Sequence, residues 1–188
     1  MTSREDHLVE LVDSHGGPVG AATVEQAHQP PGELHRAFSV FLSGPDGRLL
    51  LQQRASAKTR FPLRWANTCC GHPAPGEDLA AAAGRRLTEE IGVEGVSLVE
   101  AGLYTYRAQD PDTLRVEHEY DHVLIGDLPG GQVPRPDPAE VAALRWVDLA
   151  ELRGALAADP ESYAPWLAGV AECLARYLRR GEESAGDR

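Results

Sequence analysis

The sequence predicts one α/β or α+β domain built on a mixed sheet, and three observations predict it. The 188 residues suit a single domain, and 42% hydrophobic residues are enough for a real core. Short apolar runs separated by turn residues are mixed with a few helical stretches, without the regular strand–helix alternation of a doubly wound fold. No internal repeat and no heptad pattern runs through the chain.

The elements follow in order. Residues 7–13 read as a strand closed by the turn residues 14–18. Residues 34–42 and 48–53 read as two strands, and Gly44-Pro45-Asp46-Gly47 between them signals a hairpin. A polar, basic loop fills 55–64, and a short extended segment fills 65–70. Residues 78–91 give the clearest helix, alanine-rich, acidic at its start and stopped by Gly92. Strands are expected over 98–106, 116–125 and 141–147, a turn-rich loop over 129–138, and helices over 149–158 and 163–180. The single domain is thus expected over 7–180, between flexible tails at 1–6 and 181–188.

Composition excludes several classes. With 29 acidic against 18 basic side chains the net charge is −11, which argues against a nucleic-acid partner or an anionic membrane surface. No apolar run approaches the roughly 20 residues of a membrane span. The polar start carries no signal peptide. Three cysteines, two of them adjacent, make no disulfide framework. A soluble, cytoplasmic protein is the expectation.

The segment Val116-Glu117-His118-Glu119-Tyr120-Asp121-His122-Val123 carries the most information. On a strand, Glu117, Glu119 and Asp121 share a face. Such crowding of like charges needs compensation, either by a bound cation or by water at an exposed edge. The same letters spell H-E-x-x-H, a zinc-peptidase pattern that requires a helix. The β-branched and aromatic residues favour a strand, on which the two histidines would lie roughly 13 Å apart at about 3.3 Å per residue, too far to share one metal.

His28 and His35 are seven residues apart, but Pro30, Pro31 and Gly32 forbid a helix between them, so they come from a loop and the strand after it. His72 follows Cys70 and Gly71 in a tight turn. Singly, each histidine reads as structural or surface; three imidazoles with paired carboxylates would suit a first-row divalent metal. No Asp or Glu lies between Asp46 and Glu77, a window holding Arg48, Arg54, Arg60, Arg64 and the chain's single lysine, Lys58. It is either a solvated basic loop or a phosphate site.

Gly71, Glu77, Arg85, Leu87, Glu89, Glu90, Gly92 and Val93 match the spacing G-x5-E-x7-R-E-U-x-E-E-x-G-U, with U a bulky apolar residue, which is the pattern of the Nudix superfamily. The resemblance implies a Nudix-like mixed sheet sandwiched by helices, with added N-terminal strands. The first glutamate of R-E-U is replaced by Arg86, which removes a metal ligand and argues against a standard diphosphate hydrolase. Arg86 stands four residues before Glu90 and can pair with it.

From about Leu8 to Trp166 the chain also resembles type I isopentenyl-diphosphate isomerases. The motifs are H-x6-H at His28 and His35 with Ala37-Phe38-Ser39 after it, Asn67-Thr68-Cys69-Cys70-Gly71-His72-Pro73, and the E-x-E pair Glu117 and Glu119. The resemblance implies conversion of isopentenyl diphosphate to dimethylallyl diphosphate in isoprenoid biosynthesis, the alternative being a Nudix hydrolase. It implies one Mn²⁺ or Zn²⁺ held by His28, His35, His72, Glu117 and Glu119, and Mg²⁺ entering with the diphosphate near Glu90. It implies proton transfer by Cys70 and Glu119 with Tyr106 beside the glutamate, Trp166 along the hydrocarbon tail, and diphosphate contacts from Arg54, Lys58 and Arg85. The expected partner is the small diphosphate alone, bound by a monomer or weak dimer. Two departures are Val24, where many members have lysine, and His118 between the two glutamates.

The chemistry suits these residue types. An unactivated alkene is a weak base, so protonating it needs a positioned acid, a stabilised tertiary cation and a pocket closed to water. The diphosphate serves as a remote anchor.

Overall fold

The computed structural model describes residues 4–186, with side chains through residue 183. Strands β1 (Leu8–Val12) and β2 (Pro18–Thr23) form an antiparallel pair. A single helical turn, α1 (Val24–Ala27), follows at once. It is nucleated by a capping box in which Thr23 Oγ1 accepts from the Gln26 N–H at 3.2 Å and Gln26 Oε1 accepts from the Thr23 N–H at 3.0 Å. Then come β3 (His35–Ser43), β4 (Leu49–Arg54), β5 (Trp65–Ala66), β6 (Cys69–Gly71) and helix α2 (Leu79–Ile91). Strands β7 (Val99–Gln109), β8 (Val116–Asp127) and β9 (Val141–Val147) complete the sheet, and α3 (Leu149–Ala158) and α4 (Leu167–Gly186) close the chain.

The sheet is mixed and organised around β3. Along one edge β3 runs parallel to β8, from His35 opposite Glu119 to Ser43 opposite Asp127. Its other edge is shared in succession by β1, β6 and β4, all antiparallel. Among the described residues strand β7 pairs only with β8, and β9 only with β4.

Alternation along the strands builds two cores. Phe38, Val40 and Leu42 of β3 join Leu50 of β4 and Ala82, Ala83, Leu87 and Ile91 of α2 on one face. Phe41, Leu49 and Leu51 join Leu152 of α3 and Leu167, Val170, Ala171 and Leu174 of α4 on the other. A strand buried on both faces reads as a continuous apolar run, as β3 and β4 do. Full burial of each such side chain contributes roughly 1.5–3 kcal/mol, so the sheet holds all three of these helices.

Helix α2 begins where Asp78 accepts from the Ala81 N–H at 2.9 Å and ends at Gly92 in the left-handed conformation, φ 65°. The single extended segment expected over 65–70 is two short strands, because the Asn67 and Thr68 side chains take over the sheet bonds between them: Thr68 Oγ1 accepts from the Leu42 N–H at 2.8 Å and donates to the Leu50 carbonyl at 2.5 Å. The last helix starts at Leu167 rather than at 163, since the Ala164 N–H donates to the Trp65 carbonyl and Pro165 has no N–H to give. Residues 4–6, placed in the expected N-terminal tail, form a 3-10 turn whose Arg4 pairs with Glu89 and Glu140. Residues 181–186, from the expected C-terminal tail, continue α4. The rest of both tails, 1–3 and 187–188, lies outside the described residues. No helix among the described residues is long and apolar enough to cross a membrane.

Candidate active site

Five of the residues singled out from the sequence converge. The ligand atoms of His28, His35, His72, Glu117 and Glu119 lie within 4.8 Å of one another. His28 caps the end of α1, His35 opens β3, His72 follows β6, and the two glutamates stand on the inner face of β8. The register that sets His35 opposite Glu119 brings histidine and carboxylate together. The three imidazole centroids are 4.6, 5.2 and 4.8 Å apart.

The hydrogen bonds around this cluster call for a cation. His28 Nδ1 lies 2.6 Å from the Val24 carbonyl and His35 Nδ1 lies 2.8 Å from the Glu33 carbonyl, so both Nδ1 atoms carry the proton. That leaves each Nε2 to face the carboxylates. His28 Nε2 faces Glu117 Oε2 at 2.8 Å, a spacing that a shared proton or a metal ion can bridge. His35 Nε2 is buried with no hydrogen-bond partner, 3.7 Å from Glu119 Oε1. His72 Nε2 lies 2.9 Å from the same oxygen. Burial pulls the His72 imidazole down to about 4 and so keeps it neutral, with the charges of its neighbours secondary. Three imidazoles and two carboxylates make a donor set suited to a divalent metal ion.

Arg60 was part of the basic window but had no assigned role; its Nε donates to Glu117 Oε1 at 2.9 Å and so fixes the glutamate's second oxygen. Burial works against the Glu117 charge, but His28 and Arg60 outweigh it and hold the carboxyl well below its usual range. Glu119 is held at about 2: burial and the Glu117 charge oppose ionisation, and the imidazoles of His35 and His72 prevail. Tyr106, its cross-strand neighbour on β7, donates from its hydroxyl to Glu119 Oε2 at 2.7 Å. Burial first, then these carboxylates, push the Tyr106 phenol well above its usual range, so it remains a donor.

Cys70 lies on β6, on the other edge of β3 from Glu119. Burial pushes its thiol up to about 12, with Asp121 adding to the effect. Its Sγ is 3.7 Å from Ser39 Oγ, which in turn donates to Asp121 Oδ2 at 2.7 Å. Asp121 shares the inner face of β8, as alternation predicts, and burial raises its carboxyl well above the ordinary range. Gly71, next in the chain, has to be glycine: a Cβ there would stand 2.8 Å from Phe38 Cζ.

Cys70, His72, Tyr106, Glu117, Glu119 and Trp166 all line one cavity of about 860 Å³. Trp166 is 2% exposed, tilted against Tyr106 at 6.0 Å between ring centroids and edge-on to Phe61 at 5.7 Å. The anchor residues occupy the same cavity wall but are engaged within the protein. Arg54 donates to the carbonyls of Arg60 and Phe61 at 2.8 and 3.1 Å, with its guanidinium 5.4 Å from the Trp166 ring centroid. Lys58 pairs with Glu140 and lies 3.6 Å from Glu90. Arg85 pairs with Glu77 at 3.0 Å. Glu90 stands apart from the five-residue cluster; it accepts from Gln52 Nε2 at 2.9 Å and pairs with Arg86, the pairing expected from their spacing. Glu140, from the turn before β9, joins this second group of charges, and nothing in its local sequence singled it out.

The peptidase geometry is not formed. His118 and His122 sit on a strand, where His118 Nδ1 meets the Gly32 carbonyl at 3.0 Å and His122 Nδ1 meets Glu100 at 3.0 Å.

A mixed sheet with the glycine–glutamate helix on one face and α3 and α4 on the other defines a Nudix domain, and the NUDIX domain family matches residues 33–168. The fold is shared with a Deinococcus radiodurans protein, DR0079, at a TM-score of 0.72 and 21% identity, covering 88% of this chain and 98% of that one. Closer in sequence is an isopentenyl-diphosphate Delta-isomerase of Nocardia farcinica, 61% identical over 178 residues, 95% of this chain and 98% of the relative. Another, from Streptomyces avermitilis, is 49% identical over 173 residues, 92% of this chain and 85% of the relative. The chain belongs to the isopentenyl-diphosphate Delta-isomerase family of Nudix proteins.

Proposed function

We propose that the protein isomerises isopentenyl diphosphate to dimethylallyl diphosphate, in the cytoplasm and within one domain spanning 7–180, as a monomer or weak dimer. The observation that carries this reading is the pairing, in one cavity, of a protonated thiol at Cys70 with an ionised carboxylate at Glu119. Together they hold one proton to give and one place to receive a proton, which is what a double-bond shift requires. One member of the pair delivers a proton to the terminal methylene carbon, and the alkene electrons form that C–H bond. The other removes a proton from the methylene bonded to the resulting cationic carbon, one carbon short of the one that bears the diphosphate, and the freed pair forms the new double bond. The gain and loss of one proton balance, and no phosphate bond breaks.

Tyr106 orients Glu119 through its 2.7 Å hydrogen bond. The Trp166 ring offers its π face to the tertiary cation, worth about 2 kcal/mol when desolvated. The Trp166 and Tyr106 rings, which line the cavity, would help keep water from trapping that cation. His28, His35, His72, Glu117 and Glu119 would hold one Mn²⁺ or Zn²⁺, and Glu90 would hold the Mg²⁺ that enters with the diphosphate. A metal bound by Glu119 makes that group more acidic when protonated. Lys58 and Arg85 release Glu140 and Glu77 to meet the diphosphate, with Arg54 bracing the wall beside Trp166.

The test is incubation with isopentenyl diphosphate, Mg²⁺ and Mn²⁺ in D2O, followed by NMR. The expected result is dimethylallyl diphosphate with deuterium in a methyl group and no free phosphate. Phosphate release without isomer would replace this reading with a hydrolase.

A further inference from the structure

Asn67 lies in the two-residue break between β5 and β6 and is completely buried. Its amide uses every bonding direction it has. The nitrogen donates to the Val40 carbonyl of β3 at 3.2 Å and to the Cys69 carbonyl at 2.8 Å. The oxygen accepts from Cys70 Sγ at 3.2 Å and from Trp166 Nε1 at 3.1 Å. The amide cannot be turned round, because a flip would set its oxygen against two carbonyls and its nitrogen against an indole N–H that can only donate. Two main-chain carbonyls therefore fix where the side-chain oxygen sits. That oxygen, in turn, receives one hydrogen from each of two side chains that reach the cavity, the thiol and the indole.

We propose that Asn67 is a positioning residue for the isomerisation: its one amide oxygen locks the Cys70 thiol and the Trp166 ring at a fixed separation, so that the proton-transfer group and the π face meet the same substrate carbons. This rests on the isomerase reading above. A packing role would need only the two carbonyl acceptors and an apolar body. Aiming the oxygen at these two groups instead links β6, which bears the thiol, to the start of α4, whose preceding residue is the tryptophan. The link matters because the Cys70 side chain could otherwise turn its sulfur away from the substrate, and reaction requires the reacting group placed to a fraction of an ångström.

Asn67→Leu keeps the side chain's size and removes all four hydrogen bonds, the two from the thiol and the indole among them. With the enzyme loaded with Mn²⁺ and Mg²⁺, the variant is expected to lose about 10–100-fold in kcat, the scale of one to two lost hydrogen bonds. KM should stay within about threefold because the diphosphate anchors are untouched. Bound Mn²⁺ per chain should be unchanged. An unchanged kcat in a folded variant, with only a lower Tm, would make Asn67 a packing residue and overturn the proposal. A second measurement does not depend on that variant folding. The shared oxygen predicts that the Trp166 Nε1–H proton resonance moves in Cys70→Ala, while that of Trp146 does not. A Trp166 resonance that stays in place overturns the proposal as well. Failure of the isomerase reading looks different: the wild-type protein would then make no dimethylallyl diphosphate at all.

Discussion

At Tyr106 a single hydroxyl separates two roles that the sequence cannot distinguish. Its ring stacks on Tyr104 at 5.6 Å with an interplanar angle of 11°, which is packing; its hydroxyl reaches Glu119 Oε2 at 2.7 Å, which is chemistry. Tyr106→Phe keeps the first and deletes the second. Losing a hydrogen bond to a charged group is expected to lower kcat about 10–100-fold, with Tm nearly unchanged and KM within about threefold. Steady-state kinetics beside a melting curve decide it, and a wild-type kcat would leave Tyr106 as packing alone. At this scale residue type and strand alternation offered imidazoles and paired carboxylates that would suit a metal, and the resemblance to type I isopentenyl-diphosphate isomerases picked out the five side chains that converge. Asn67, Arg60 and Glu140 were not assigned, because an amide or a charge acquires its role from a partner 57 or 99 positions away.

Elements were legible in proportion to their periodicity. Helix α2 was expected over 78–91 and found at Leu79–Ile91, since Asp78 and Gly92 mark its ends by their own chemistry. Strand β2 was unassigned because its Gly20-Ala21-Ala22 run has no apolar alternation, and α1 because four residues fall short of a helical period. The loop joining β7 and β8 shows how a carboxylate makes up for missing periodicity. Buried Asp110 accepts from the N–H groups of Phe61 at 2.5 Å, Asp112 at 2.9 Å and Thr113 at 3.3 Å, which pins the basic loop to this turn. Burial alone would raise its carboxyl; the three backbone donors outweigh that and lower it. A lowered folded value means stability that is fully present above the unfolded value of about 3.9 and is lost as pH falls through the folded value. Asp110→Asn is expected to cost about 1–3 kcal/mol at pH 7. The difference from wild type should shrink below about pH 4, as the wild-type carboxyl protonates. Urea unfolding at pH 7 and pH 3 measures both; an equal gap at the two pH values would mean that the charge contributes nothing.

Over the whole molecule, the five-residue cluster ties together α1, β3, the turn after β6, and β8, segments separated by up to 91 positions in the chain, from His28 to Glu119. Two carboxylates and three imidazoles crowd within 4.8 Å at the middle of the sheet, and His35 Nε2 has no hydrogen-bond partner there, so a bound cation would favour the folded chain. An ion bound there favours the folded state by mass action, about 2.7 kcal/mol at a free concentration of 100 Kd. For a chain of this size each kcal/mol moves Tm by roughly 2–4 °C, so removing the ion should lower Tm by roughly 5–10 °C. Calorimetry of the Mn²⁺-loaded protein before and after EDTA measures the shift, and returning Mn²⁺ should restore it. Glu117→Gln keeps the residue's shape but weakens its donor, so in that variant the EDTA-induced shift should shrink towards zero. A wild-type Tm indifferent to chelator would mean that the imidazoles and carboxylates are held together by protons and Arg60 rather than by a metal.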